Sequence, residues 1–141
     1  MISQHFLYLA LLILLSASGC GQNRNNSPPW ERLPAGDGIR YVEKLTHDPA
    51  VDPLYLAKMT YDDAAALQRV LDTFGLVPRG ENDDNTTFTT MLDDSQPTWF
   101  PLTDVTDVYY YPANPEEDYL SNLWVNAEEK VMILEIWFYD P

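Results

Sequence analysis

The sequence predicts an α+β domain in which an antiparallel sheet of about five strands packs against one main helix. One segment, residues 60–75, has apolar residues at intervals of three and four, the period of a helix. Several other segments are rich in β-branched and aromatic residues, and three of them lie together near the C-terminus, where they predict a three-strand meander. Strands grouped around a helix in this way are typical of the α+β class.

The first two strands are predicted over residues 39–46 and 54–59. The earlier segment sets β-branched and aromatic residues between charges, a composition typical of a half-exposed strand. Asp and Pro residues at 48–49 and 52–53 predict a loop between the two strands.

The helix is predicted over residues 60–75. Thr60 is expected to be its N-cap, with Asp63 three residues later as in a capping box. Gly75 is expected to end the helix in the left-handed conformation, and Pro78 prevents its continuation. The apolar face is expected to consist of Ala64, Leu67, Leu71 and Phe74.

The second half of the chain predicts a short strand over residues 86–92 and then the meander. The meander strands are predicted over residues 105–111, 119–126 and 130–139, with a hairpin connection over residues 126–129. Both faces of the last strand are largely apolar, which predicts a position inside the sheet.

The first 20 residues have the pattern of an export signal. Residues 6–15 are apolar without a break, and small residues follow before Cys20, the single cysteine of the chain. As a helix, ten residues reach about 15 Å, which is half of a hydrocarbon core of about 30 Å. This length fits the apolar region of a signal peptide rather than a transmembrane anchor. A buried core helix is the alternative, against which the polar run after Cys20 argues.

The residues Ala17-Ser18-Gly19-Cys20 resemble the lipobox of bacterial lipoprotein precursors. The resemblance covers the first 20 residues and implies a diacylglyceryl group on Cys20, cleavage before it, and a further fatty acid such as palmitate on the new amino terminus. Two acyl chains are what stable anchoring requires. By the same resemblance, Gly21 favours the outer membrane over the inner one in a Gram-negative cell. Without acylation, residues 17–19 suit an ordinary secretory cleavage site.

The predicted organisation has three parts: a signal peptide (1–19), a lipidated cysteine with a polar, flexible tether (20–29), and one acidic domain (30–141). The domain, of about 112 residues, is long enough for a single core. Since the chain has one cysteine, no disulfide can form within it, and packing alone must hold the domain.

The charge balance excludes some partners and favours others. Twenty-two Asp and Glu face eight Lys and Arg, for a net charge of −14. Such a chain is not expected to bind nucleic acid, which requires cations against phosphates. It is also expected to repel anionic lipid headgroups. A basic protein is the partner that the charge suits, and plain solubility is the alternative explanation.

No arrangement of residues predicts an enzyme or a cofactor. A zinc site needs several His or Cys ligands, and the mature chain offers His47 and Cys20. No serine lies in a Gly-x-Ser-x-Gly sequence. Glu135 is the acidic residue set in the most apolar strand. We interpret it as lying on a solvated part of the sheet, opposite Arg40 or Lys44, with burial as the alternative.

A calcium loop is the one metal site with any support. Counted from Asp83, the EF-hand spacing places Asn85 at position three and Asp94 at position twelve. Phe88 stands where the turn requires Gly, and Asp94 stands where a longer Glu is expected, so the match is loose. A ligand- or Ca²⁺-binding periplasmic module is therefore the alternative function.

The aromatic residues exceed what a small core needs, so some are expected on a recognition surface, with core packing as the alternative. The candidates are Trp99, Phe100, Tyr109, Tyr111, Trp124 and Trp137. The predicted function is that of a membrane-anchored envelope lipoprotein with a non-enzymatic binding or structural domain. In one form of this hypothesis the domain masks a basic protein.

Overall fold

The computed structural model describes residues 27–47, 52–80, 96–112 and 119–138, which form an antiparallel sheet of six strands with two short helices. The helices are α1 (Pro29–Arg32) and α2 (Ala64–Phe74). The strands are β1 (Ile39–His47), β2 (Leu54–Tyr61), β3 (Val77–Pro78), β4 (Asp107–Tyr110), β5 (Tyr119–Asn126) and β6 (Val131–Phe138).

The strand order across the sheet is β1-β2-β6-β5-β4-β3. The interior position predicted for the last strand is confirmed, because β6 pairs with β2 on one side and with β5 on the other. The C-terminal meander is confirmed as well, since β4, β5 and β6 are neighbours in chain order. The sixth strand is the short β3, whose Pro78 lies at the edge of the sheet, where proline is tolerated.

The predicted N-cap of the main helix is wrong by three residues. Thr60 belongs to β2, where it pairs with Arg40 on one side and with Val131 on the other. The N-cap is Asp63, whose carboxylate accepts the N–H of Ala66 at 2.9 Å. Thr is common both as an N-cap and within strands, and here Thr60 pairs with both neighbouring strands.

The end of α2 is as predicted. Gly75 has φ 64° and ψ 32°, the left-handed conformation that glycine adopts at little cost. The N–H of Leu76 then bonds to the carbonyl of Leu71 at 2.9 Å, which closes a Schellman-type end.

The hairpin between β5 and β6 is confirmed one residue later than predicted, over residues 127–130. Asn126 is 3 % exposed, and its side-chain oxygen accepts the N–H of Glu129 at 3.0 Å. Lys130 adopts a positive φ of 54° to complete the turn. The strand predicted over residues 86–92 lies outside the described residues.

The sheet carries a different core on each face. The helix-side core joins α1 and α2 to the strands, and its central members include Met59, Val70, Leu123, Met132 and Leu134. The tryptophan-side core is smaller and lies on the opposite face. Its members are Leu54, Leu56, Phe100 and Ile133, with half-buried Trp99, Trp124 and Trp137 packed against them.

A segment that we call the N-terminal strap, residues 28–33, docks the start of the domain onto the helix-side core. Pro29 and Leu33 are buried in it. The hydroxyl of Tyr41 donates to the carbonyl of Leu33 at 2.6 Å. Burial raises the pKa of Tyr41 to about 12, against a smaller opposing effect of Arg69. The strap is thus part of the fold rather than of the tether.

Candidate functional site

The six aromatic candidates divide between the two faces of the sheet. Trp99, Phe100, Trp124 and Trp137 belong to the tryptophan-side core, whereas Tyr109 and Tyr111 pack against the helix-side core. The division follows from strand alternation: Tyr109 is opposite Leu123, and Trp124 is the next residue along β5. No surface of this sheet can therefore present all six candidates together.

Phe100 supports the core interpretation most clearly, because it is 8 % exposed. Its ring meets Trp124 edge-on, with the ring centroids 5.5 Å apart and an interplanar angle of 74°. The three tryptophans of this face are half-buried, so part of each indole reaches the surface. The tryptophan-side face is consequently where the larger share of the predicted candidates is gathered.

At the centre of this face lies a buried polar pair, Glu135 of β6 and Asn122 of β5. The two residues are opposite each other in the register and are 3 % and 2 % exposed. The amide nitrogen of Asn122 donates to Oε2 of Glu135 at 2.9 Å. A buried carboxylate without hydrogen bonds is costly, and this bond offsets part of that cost.

The interpretation of Glu135 as a solvated residue opposite Arg40 or Lys44 is therefore wrong. Arg40 pairs with Asp62 at 3.0 Å, and the Lys44 ammonium lies 4.8 Å from the ring centre of Tyr41. Glu135 is buried because β6 is an interior strand with side-chain cover on both of its faces.

The polar pair has further neighbours along the same row of the sheet. Tyr110 is opposite Asn122 on one side, and Leu56 is opposite Glu135 on the other. The guanidinium of Arg79 lies 5.5 Å from the ring centre of Tyr110. Asn122 was not among the residues predicted from the sequence, although the two polar residues Ser121 and Asn122 between the apolar Leu120 and Leu123 of a strand were a usable signal.

The described contacts of this row join one carboxyl group, that of Glu135, to the side-chain amide of Asn122 by a hydrogen bond. Acid–base hydrolysis of glycosides needs two carboxyl groups at a set separation, and the row contains one, that of Glu135. Within the described ranges, no group of three or more His, Cys, Asp and Glu residues is arranged to hold a metal ion. His47 is exposed at the end of β1. The calcium candidates Asp83, Asn85 and Asp94 and the lipidation candidate Cys20 lie outside the described residues.

The second feature of the described residues is the exposure of their acidic side chains. Twelve acidic residues lie in the described ranges, and ten of them are exposed. The exposed ones are Glu31, Asp37, Glu43, Asp62, Asp63, Asp72, Asp104, Asp107, Glu128 and Glu129. Most of the described carboxylates therefore project into solvent.

The cations, in contrast, are mostly engaged by groups of the same chain. Arg40 pairs with Asp62, whose backbone oxygen also accepts the Lys130 ammonium at 2.6 Å. Arg69 of α2 pairs with Asp37. Three others lie over aromatic rings: Arg32 over Phe74, Lys44 over Trp30 and Tyr41, and Arg79 over Tyr110. The negative field of the exposed carboxylates is thus only partly balanced.

Among the described residues, no helix has the length and apolar character needed to span a membrane. Comparisons of the chain with family models, with curated proteins and with solved structures find no match.

Proposed function

We propose that this protein is a lipid-anchored envelope protein whose acidic domain binds a basic protein without catalysing a reaction. In this proposal residues 1–19 are a signal peptide, Cys20 carries the lipid, and residues 21–27 form the free part of the tether. The domain is of the α+β class, with α2 as its main helix, and the outer membrane is the favoured location because of Gly21.

The observation that carries the binding part is the contrast between exposed carboxylates and engaged cations. Six of the seven described Lys and Arg residues contact an acidic residue, a backbone oxygen or an aromatic ring of the same chain. Ten of the twelve described acidic residues remain exposed. Such a surface attracts a basic protein and accelerates their encounter, and salt weakens that attraction.

The anchoring part is tested by expressing the full chain in a bacterium and measuring the mass of the mature amino terminus. We expect a diacylglyceryl group on Cys20 and recovery of the protein with the membranes. Cys20→Ser is the matched control, because it removes the sulfur that carries the lipid; the mass of that variant should include no diacylglyceryl group. A wild-type protein with an unmodified thiol contradicts the anchoring proposal.

The binding part is tested by capturing envelope proteins on the immobilised full chain over a series of salt concentrations. We expect a captured basic protein whose retention falls steeply as salt rises, since exposed charges are screened beyond about 8 Å at physiological ionic strength. The double variant Glu128→Gln, Glu129→Gln, on the exposed hairpin, should retain less of it. Capture that is insensitive to salt and to these substitutions contradicts the proposal.

A further inference from the structure

The contacts of the N-terminal strap determine where the tether leaves the domain. The Trp30 ring meets the Tyr55 ring edge-on, with centroids 5.9 Å apart, and Tyr55 meets Phe138 in the same way at 6.2 Å. Tyr55 is the second residue of β2, and Phe138 is the last residue of β6. The strap therefore begins at the end of the sheet where β1 and β6 finish, which we call the tether end.

The strap is held to three different elements, so this exit point is fixed. The Tyr41 hydroxyl of β1 binds the Leu33 carbonyl at 2.6 Å. The Arg32 guanidinium lies 4.7 Å from the ring centre of Phe74, at the end of α2. Trp30 packs on β2 through Tyr55. These contacts hold the strap in a defined position relative to the sheet.

The opposite end of the sheet, which we call the far end, carries the tight turns. One is the hairpin turn of residues 127–130. Another is the turn in which Gly36 and Ile39 exchange two backbone hydrogen bonds of 2.9 and 3.0 Å. Between them the two residues Asp37 and Gly38 have positive φ, as in a type I′ turn.

We infer that the anchored domain stands on the membrane with its tether end toward the bilayer and its far end toward the aqueous space. This inference rests on the proposed lipidation of Cys20. The seven residues 21–27 can span at most about 25 Å. The eight residues of β6 span about 26 Å from one end of the sheet to the other.

The comparison of these lengths decides the orientation. For the far end to contact the bilayer, the tether would have to run back along the full length of the sheet. That length is equal to or greater than the span of the fully extended tether. The exposed carboxylates of Asp37, Glu128 and Glu129 lie in the turns of the far end, so repulsion from anionic headgroups opposes contact of this end with the bilayer. A partner that approaches from the aqueous space therefore meets the far end first.

The test uses the full lipidated chain in vesicles that contain a nitroxide on the lipid headgroup. Two single variants, His47→Cys at the tether end and Glu128→Cys at the far end, each add a thiol at an exposed position. Because the acylated Cys20 has no free thiol, a fluorophore attaches to the introduced cysteine alone. We expect severalfold more quenching at position 47 than at position 128. Equal quenching on a lipidated protein overturns the orientation.

The control lengthens the tether without touching the fold, by inserting ten Gly and Ser residues after Ser27. The longer tether can reach back past the sheet, so the difference between positions 47 and 128 should shrink. A difference that survives the insertion unchanged overturns the inference that the short tether sets the orientation. An unmodified sulfur at Cys20, read from the mass of the same sample, removes both the anchor and the orientation.

Discussion

The two faces of the sheet are built from the same strands yet are held by different interactions. On the helix side, β6 contributes Met132 and Leu134 to a large core of buried apolar side chains. On the tryptophan side, the same strand contributes Ile133 to a smaller apolar cluster and Glu135 to a buried hydrogen bond with Asn122. Substitutions at adjacent residues of one strand should therefore destabilise the fold for different reasons. On the helix side the cost comes from a cavity, and on the tryptophan side it comes from an unsatisfied polar group.

The largest effect is expected on the helix-side face. Leu134 is fully buried, so Leu134→Ala should lower the free energy of unfolding by about 2–5 kcal/mol through lost burial and a residual cavity. Urea unfolding of the full chain measures the loss. Val42→Ala, at a side chain that is 52 % exposed, should change stability by no more than about 0.5 kcal/mol. Equal losses at the two positions would contradict the assigned burial.

On the tryptophan-side face, stability should depend on the Asn122–Glu135 hydrogen bond more than on the volume of the side chains. Asn122→Ala removes the donor at 2.9 Å from the buried Glu135 carboxylate and should cost about 1–3 kcal/mol. The double variant Asn122→Leu, Glu135→Leu removes both polar groups and should cost clearly less than the sum of the two single Leu variants. Strict additivity in urea unfolding would show that the pair is not coupled.

The N-cap of α2 offers a test with a smaller expected effect. It belongs to the helix side, because the buried residues of α2 pack into the helix-side core. Asp63→Ala removes the acceptor of the Ala66 N–H and should cost about 1 kcal/mol. Asp63→Asn keeps a good cap and is the matched control, expected to stay near the wild type. Hydrogen exchange at Ala66 should accelerate in the Ala variant and not in the Asn variant.

An effect of similar size to that of the cap, but one that depends on pH, is expected at the strap. Tyr41→Phe removes the bond to the Leu33 carbonyl and should cost about 1 kcal/mol at neutral pH. The folded protein raises the pKa of Tyr41 from 10.0 to about 12. The advantage of Tyr over Phe is therefore complete below pH 10 and is lost as the pH rises toward 12.

Urea unfolding of both proteins at pH 8 and pH 11 measures this difference directly. Because the other titrating groups are common to the two proteins, their contributions cancel to a first approximation. A difference that stays constant over this range would contradict the raised pKa of Tyr41.

Much of the fold could be predicted because its signals are local. The end of α2 at Gly75 needs only a residue that accepts positive φ, and the apolar character of both faces of β6 is visible in consecutive residues. The start of α2 could not be predicted in the same way. Whether Thr60 caps a helix or extends a strand depends on its pairing with Val131, a residue that lies 71 positions later in the chain.

The candidate site was less predictable than the fold. Glu135 stood out as a carboxylate in an apolar strand, but its burial depends on the strands and side chains that cover both faces of β6. The pairing of Glu135 with Asn122 depends on the β5–β6 register, and a one-residue slip would turn Asn122 to the other face. The division of the aromatic candidates between the two faces has the same origin.

The sequence by itself determined the net charge, the lone cysteine and the periodicity of most strands and of α2, because these properties reside in single residues or close neighbours. Only the tertiary structure decided that the cations are engaged within the chain, that Glu135 is buried against Asn122, and that the strap leaves from one end of the sheet. Each of these depends on residues that are distant in sequence and are brought together by strand order and register. A local pattern holds no information about such partners.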